Sequence, residues 1–381
     1  MKSIVGVKNI KGKKVLLRLD LNVSLENGLV QDDSRIRKIL PTIRFLREQK
    51  AKIIIVSHIG RNKTDSLRPV FDYMKMKMAD VFTETSFVED DIWGGEVEQA
   101  IARMNDSDIL VLENIRRYEE EFKNDVSFSE RLASLGDIYV NEAFSVSHRS
   151  HSSVVGLPKI IPSYSGILFE EEVKSLSKVF EAPKPFLLIL GGNKLETKLP
   201  LIKRFLDIAD YIYIGGAPAN NFFKQKGWNV GQSLHSEKTF GLDELMDNEK
   251  VILPTDVTVK NLQGSFIKKT NKVLDEDNIL DLGPESFEKI KDLIKESRFV
   301  LWNGPVGDYK NGFGKYTIEI AKEIAESEIY SVVGGGDTVA SISELGLSDK
   351  FSFISTGGGA MLEFLVNKTL VGIEALNKKK K

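Results

Sequence analysis

Five times in the second half of the chain a short apolar run stops at a cluster of glycines: ILGGNK at 189–194, YIGGAP at 213–218, LWNGPVG at 301–307, VVGGGDT at 332–338 and ISTGGGA at 354–360. An apolar run ended by glycine reads as a buried parallel strand entering a tight turn, because glycine alone lets bare backbone approach a neighbour or a ligand closely. Such turns gathered on one sheet edge would form a cradle for phosphate oxygens.

The first half carries its own series of strand-like runs: VLLRLDLNV at 15–23, KIIIVSH at 52–58, DILVLEN at 108–114 and DIYVNEA at 137–143. Charged, helix-forming segments separate them; in RIRKILPTIRFLREQ the residues Ile36, Leu40, Ile43 and Leu46 keep helical spacing despite Pro41. The βαβα alternation predicts a doubly wound parallel sheet. A second series opens at PFLLILGG (185–192) and continues through YIYIGG, VILPTDVTV (251–259), FVLWNG, YSVVGG and FSFIST, so two sheets are expected. Between them, Phe169, Val173, Leu176 and Phe180 mark one face of a linking helix that Pro183 and Pro185 end. Spacing alone leaves open whether that helix is a hinge or packs on one domain.

A length of 381 residues suits two domains, and 41% hydrophobic with 28% charged residues suits a buried core in each. The formal charge of -2 leaves anion binding to local clusters rather than to a whole-protein field. The absence of cysteine excludes disulfides, thiolate catalysis and Cys-ligated metal sites. The opening residues MKSIVGVKNIKGKK hold too short an apolar stretch for a secretory leader, and no segment approaches 18 uninterrupted apolar residues. The expectation is a cytoplasmic protein with small-molecule partners, neither nucleic acid nor membrane. The basic tail Lys378 to Lys381 reads as solvated and disordered.

In open parallel sheets ligands bind beyond the carboxyl ends of the strands. There the first half places Asp20 and Asn22, His58 and Arg61, Asn114 and Arg116, then His148, Arg149 and His151. Each alone reads more readily as a surface loop residue. Together they predict a basic pocket for a small, multiply anionic substrate, since guanidinium forks match phosphate and carboxylate oxygens. His148 and His151 at i, i+3 lack a nearby carboxylate to complete a metal-ligand set.

In the second half, if a helix starts after ILGG, Lys194 and Lys198 share a face near its electropositive end; they read otherwise as solvated helix lysines. In GGGDT, Asp337 reads as a carboxylate for Mg²⁺ held on nucleotide phosphates, or Asp337 or Thr338 reads as the cap of the next helix. GGGA at 357–360 opens another helix and points amides at phosphoryl oxygens, or its glycines permit close helix–sheet packing. No G-x-x-x-x-G-K-[ST] occurs, and no G-x-G-x-x-G follows the first strand of either half, which disfavours a P-loop kinase and a dehydrogenase.

The ordered motifs VLLRLDLNV, DDSRIR, SHIGR, LENIR, NEAF with HRSH, GGNKLETK, WNGPVG, GGGDT and STGGGA resemble those of phosphoglycerate kinases over residues 3–376. The resemblance implies two facing Rossmann-like lobes joined by a linking helix, lobe 1–165 taking the acid substrate and receiving the returning segment 366–381, and 166–365 holding the helix and the nucleotide lobe. It implies a monomer that moves a phosphoryl group between 1,3-bisphosphoglycerate and Mg-ADP, giving 3-phosphoglycerate and Mg-ATP. By resemblance the acid substrate meets Asp20, Asn22, Arg35, His58, Arg61, Arg116 and Arg149. The nucleotide meets Gly192, Asn193, Lys194, Lys198, Gly215, Gly216, Asn303, Pro305, Gly335, Gly336, Asp337 and Thr338, with Asp337 toward Mg²⁺ and Gly358 and Gly359 near the transferring group. Arg35, Lys194 and Lys198 supply charge in transfer, helped by amides around Gly336 and Gly358. No general base is needed, because the accepting carboxylate is already ionised.

The chain departs from the family pattern at Ser24 and Asn62, where proline is usual, and at Glu142, where aspartate is usual. Lys310 stands where a glutamate would bind the nucleotide ribose, and a lysine cannot accept hydrogen bonds from hydroxyls. GGAPANNFF replaces a usual GGGMA-x-x-FL, bringing Pro218, Asn220 and Asn221 beside the expected adenine pocket. The first three departures bear on turn rigidity, and the last two on nucleotide affinity or base preference rather than on transfer.

Overall fold

The computed structural model describes residues 1–238 and 240–378, and the last three positions of the basic tail lie outside the described residues. The chain divides into two compact units, Met1–Lys174 with the C-terminal segment from Thr369, and Ser175–Lys368. Each is a mixed α/β unit on a six-stranded, all-parallel sheet, in agreement with the Rossmann-like expectation.

The first unit uses β1 (Lys14–Arg18), β2 (Lys52–Val56), β3 (Thr85–Val88), β4 (Ile109–Leu112), β5 (Ile138–Asn141) and β6 (Ser163–Ser165). They lie in the order β3-β4-β2-β1-β5-β6. β2, β4 and β5 are apolar almost throughout because both faces of a parallel sheet are covered. Helix α1 (Ser34–Glu48) connects β1 to β2 and buries Ile36, Ile39, Leu40, Ile43 and Leu46. Pro41 lies inside α1 on an exposed position, where its missing N–H faces no buried acceptor. The chain leaves β1 for β2 on one side, while β5 flanks β1 on the other, so the loops after β1 and β5 diverge and leave a crevice at that strand end.

The second unit uses β7 (Phe186–Leu190), β8 (Tyr211–Ile214), β9 (Val251–Ile252), β10 (Phe299–Asn303), β11 (Tyr330–Gly334) and β12 (Phe353–Ile354), in the order β9-β8-β7-β10-β11-β12. β7 and β10 are buried at every position, and burying each large apolar side chain contributes about 1.5–3 kcal/mol. The run 251–259 is not one strand. Pro254 has no N–H to give a ladder, and the chain breaks there into β9 and a separate strand, Asp256–Asn261. That strand joins Gly264–Lys269 and Asn278–Leu282 in a small antiparallel sheet, which interrupts the alternation of strand and helix in this unit.

The dividing line between the units runs through helix α2 (Ile167–Ser177), after Lys174. The start of α2 is anchored in the first unit. Ile167 N–H donates to Thr42 Oγ1 (2.9 Å), and Leu168 and Phe169 N–H donate to the two oxygens of Glu142 (3.1 Å each). The Thr42 hydroxyl also donates to Glu142, so the buried carboxyl satisfies helix-end donors that would otherwise have no partner. A Cβ on Gly166 would lie 2.0 Å from Glu142 Oε2, so glycine there makes room for the longer acid.

Candidate active site

Two groups of residues collect at strand ends, one in each unit. In the first unit Asp20, 7% exposed, ties the loop after β1 together. It accepts from Arg35 Nη1 (3.0 Å), from Asn22 N–H (3.0 Å) and from the Ser145 hydroxyl. Arg35 Nη1 also donates to the Asn22 carbonyl (3.0 Å), which brings this α1 arginine onto the loop. Asn22 Oδ1 accepts the Gly60 N–H (2.9 Å), and Asn114 binds Ile59 and Asp65 through both ends of its amide, joining the loops after β1, β2 and β4.

Beneath them lies a residue that sequence reading passed over. Arg18, the last residue of β1, is fully buried and donates to Ser153 Oγ (2.9 Å), to the Leu19 carbonyl and to His58 Nδ1 (3.1 Å). Ser153 in turn bonds to the Glu121 carboxyl, whose ionisation burial resists, so the arginine reaches that buried acid through one hydroxyl. A charged residue closing an otherwise apolar central strand was the signal available in the sequence.

A guanidinium can only donate, so His58 Nδ1 accepts and the ring proton sits on Nε2. Burial and the charges of Arg18, Arg116, Arg149 and Arg35 hold His58 well below the usual imidazole range, which keeps it neutral. His151 is pushed down to about 4 by burial, then by Arg149, Arg18 and Arg116. Its 3.7 Å approach to Glu121 is therefore not an ion pair at neutral pH. His148 is lowered for the same reasons. Burial and neighbouring arginines bring Arg116 down to about 10, and its Nη1 donates to the Gly60 carbonyl. Arg61 and Arg149 are exposed. The result is a concentration of positive charge around a neutral imidazole, suited to a small polyanion.

In the second unit the glycine loops divide into two kinds. The loops after β7, β8 and β10 close on one another: Gly192 N–H donates to Pro305 O (2.7 Å), Gly215 N–H to Leu190 O (2.8 Å) and Gly216 N–H to Val306 O (3.1 Å). A Cβ at Gly191 would lie 2.1 Å from Pro305 O, and one at Gly304 would lie 2.4 Å from Gly191 O. The amides of Gly192, Gly215 and Gly216 are engaged by neighbouring backbone, so these glycines serve close loop packing. They wall a cleft of about 390 Å³ that Asn193, Gly216, Asn220, Phe223, Leu280 and Val306 help to line. Within it Asn220, on helix α4 (Gly216–Gln225), donates Nδ2 to Leu234 O (2.9 Å), which fixes its amide orientation, while the buried Oδ1 has no partner.

The loops after β11 and β12 remain open. Gly335 (φ 102°) and Gly358 (φ 50°) adopt left-handed backbone, and a Cβ on Gly336 or Gly358 would meet nothing within 4 Å. Each leads into a nine-residue helix, α5 (Gly336–Glu344) or α6 (Gly359–Asn367), whose first-turn N–H groups have no intrahelical acceptor. Gly335 is the cap residue of α5, so neither Asp337 nor Thr338 caps it. Thr338 instead accepts the Gly304 N–H through Oγ1 (3.0 Å), tying β11 to β10.

Lys194 and Lys198 are not on one helix. Residues 194–198 form turns, and helix α3 (Leu199–Phe205) begins after Lys198, with Pro200 in its first turn. Their environments differ accordingly. Lys194 is exposed, whereas Lys198 is buried, donates to Asn303 Oδ1 and is brought down to about 8 by burial. Asp337, in the first turn of α5, forms an ion pair with Lys310 at 2.8 Å. Among the described residues no cluster of three or more His, Asp or Glu side chains is placed to hold a metal ion.

A family model described as phosphoglycerate kinase matches residues 5–368. The chain belongs to the phosphoglycerate kinase family. Curated members include a phosphoglycerate kinase of Dictyoglomus turgidum, 41% identical over 98% of this chain and 97% of that protein, and one of a Wolbachia of Brugia malayi, 39% identical over 99% of each. The solved structure of the Coxiella burnetii phosphoglycerate kinase covers 100% of this chain and 99% of its own at 33% identity, with a TM-score of 0.84. The Pyrococcus horikoshii phosphoglycerate kinase aligns with a TM-score of 0.85 at 29% identity. The phosphoglycerate kinase family is one of phosphotransferases that use magnesium nucleotides. With Asp337 in the first turn of α5 and no cluster of three acidic or histidine side chains among the described residues, this chain's residues fit a magnesium ion carried chiefly by nucleotide phosphates rather than by a protein cage.

Proposed function

We propose that this chain transfers a phosphoryl group reversibly between 1,3-bisphosphoglycerate and Mg-ADP, with the acid substrate on the first unit and the nucleotide on the second. The observation that carries this reading is the pairing of an arginine-ringed, neutral-histidine site in one unit with an open, double helix N-terminus and a base-sized cleft in the other. Arg35, His58, Arg61, Arg116 and Arg149 bind the phosphate and carboxylate of the acid, while Asp20 and Asn22 orient Arg35 and the loop. Arg35, Lys194, Lys198 and the amides around Gly336 and Gly358 neutralise the equatorial oxygens of the group in transit. Magnesium, held on the nucleotide phosphates and met by Asp337, supplies further charge neutralisation when bound. Because donor and acceptor belong to separate units, transfer requires the units to come together on their substrates, which also excludes water. The protein acts as a cytoplasmic monomer; no helix among the described residues is long and apolar enough to cross a membrane.

The orientation of Asn220 extends the reading to the base. Its unpartnered Oδ1 can accept from the exocyclic amine of adenine but not from the keto oxygen of guanine. Assayed with 3-phosphoglycerate and a panel of ATP, GTP and other triphosphates, the purified protein is expected to favour ATP. Transfer from no member of the panel would remove the proposed function, and a preference for GTP would remove the role of Asn220.

Lys198 adds a pH dependence. Its ammonium is cationic below about 8, and a bound phosphate favours that form. ADP affinity measured by calorimetry is therefore expected to fall as pH rises through about 8, and Lys198→Met to flatten the profile. An affinity that held steady across that range in the unaltered protein would count against a phosphate role for Lys198.

A further inference from the structure

We propose that Lys310 is a resident counter-cation of the nucleotide site: it holds the Asp337 carboxylate that magnesium must reach, and it serves the diphosphate directly when magnesium is scarce. The inference deepens the reading above and rests on its assignment of Asp337 to the magnesium nucleotide.

Lys310 lies in the short turn Tyr309–Asn311, which Gly312 closes in left-handed backbone (φ 84°). Its neighbours Asp308 and Asn311 both line the cleft, so the turn belongs to the wall of that cleft. Two side chains of the turn reach α5: Lys310 Nζ meets Asp337 Oδ1 at 2.8 Å, and the Tyr309 hydroxyl donates to Glu344. Asp337 and Glu344 are seven residues apart, two helical turns along one face, so the segment lies lengthwise on α5. Among the described residues Lys310 is the ion-pair partner of Asp337.

That pair has the properties of a displaceable contact. The side chains are 72% and 37% exposed, so solvent screens their attraction and the lysine can swing away at small cost. Asp337 sits in the first turn of α5, beside the free N–H groups of an anion site, so the ammonium already occupies the neighbourhood of the phosphates. A lysine offers three donors and no acceptor; it cannot take over hydrogen bonds from ribose hydroxyls, but it can donate to phosphate oxygens. Magnesium and Lys310 thus compete for one carboxylate and neutralise the same anion. Magnesium dependence of diphosphate binding is consequently muted: the lysine opposes the metal when it is present and substitutes for it when it is absent.

The test is the ratio of ADP dissociation constants in EDTA and in saturating magnesium, measured by isothermal titration calorimetry. Lys310→Ala is expected to raise that ratio about fivefold, the scale of one exposed ion pair, and Lys310→Glu at least as much. Lys310→Arg retains the low ratio of the unaltered protein. Tyr309→Phe, which removes the other contact between this turn and α5, leaves the ratio unchanged, because a clamp on the turn is not what sets it. A ratio for Lys310→Ala within twofold of the unaltered protein overturns the proposal while leaving the nucleotide site standing. An equal rise in Tyr309→Phe overturns it in favour of a structural clamp. Absence of ADP binding by the unaltered protein in both conditions overturns this proposal and the reading on which it rests.

Discussion

Arg35→Ala is expected to lower kcat about a thousandfold, in the range seen when a charge donor aimed at a transition state is removed. The geometry gives the substitution a clean interpretation. Arg35 spends one nitrogen, Nη1, on Asp20 and the Asn22 carbonyl, and the side chain is about one-third exposed at 34%. The rest of the guanidinium is thereby aimed by the loop without being consumed by it. Asp20 keeps the Ser145 hydroxyl and the Asn22 N–H after truncation, so the loop retains its anchor. Because Asp20 is buried but keeps those two donors, loss of the ion pair lowers stability by on the order of 1–2 kcal/mol. A fall in kcat with a small rise in KM, together with a melting temperature close to that of the unaltered protein, identifies charge supplied in the transition state rather than in substrate binding. An unchanged kcat would mean that the transferring group is neutralised by other residues.

Lys194→Ala is expected to cost about a hundredfold or more in kcat with little change in stability. Lys194 is exposed and stands on a loop whose backbone is held independently, by Gly192 N–H on Pro305 O and by Lys198 N–H on Leu195 O. Its ammonium therefore reaches into solvent from a hydrogen-bonded loop, where it can meet a phosphoryl in transit. Thermal unfolding followed by circular dichroism, beside steady-state kinetics, separates it from Lys198. Truncation of Lys198 leaves Asn303 Oδ1 without its buried donor and lowers stability as well as rate. A Lys194→Ala protein with full activity would place the transfer charge on Lys198 and the helix amides.

Much of this molecule was legible before folding. The runs FLLIL and FVLWN are apolar without interruption, which only a strand buried on both faces tolerates, and they became the central strands β7 and β10. The polar residues that follow β1, β2, β4 and β5 were legible for the same reason, since a parallel sheet presents all its strand ends on one edge. Other features depended on partners far along the chain. The segment 251–259 reads as one strand until Pro254 is weighed against the ladder it must join. Lys194 to Lys198 has helical spacing, yet the backbone there turns back on Leu195 and the helix begins at Leu199. Arg18 and Glu121 were overlooked because each seems an ordinary surface charge until both are buried around Ser153.

By itself, then, the sequence determined the family, the two parallel sheets, and which arginines, lysines and carboxylates stand at strand ends. Those properties follow from local periodicity and from the order of motifs along the chain. The tertiary structure alone decided which glycine amides are closed by neighbouring loops and which stay open at α5 and α6. It also decided that His58 is neutral with its proton on Nε2, that Lys198 is weakened as a cation, and that Lys310 rests on Asp337. Protonation, amide availability and ion pairing depend on burial and on through-space distance. Neither quantity exists until residues remote in sequence have been brought together.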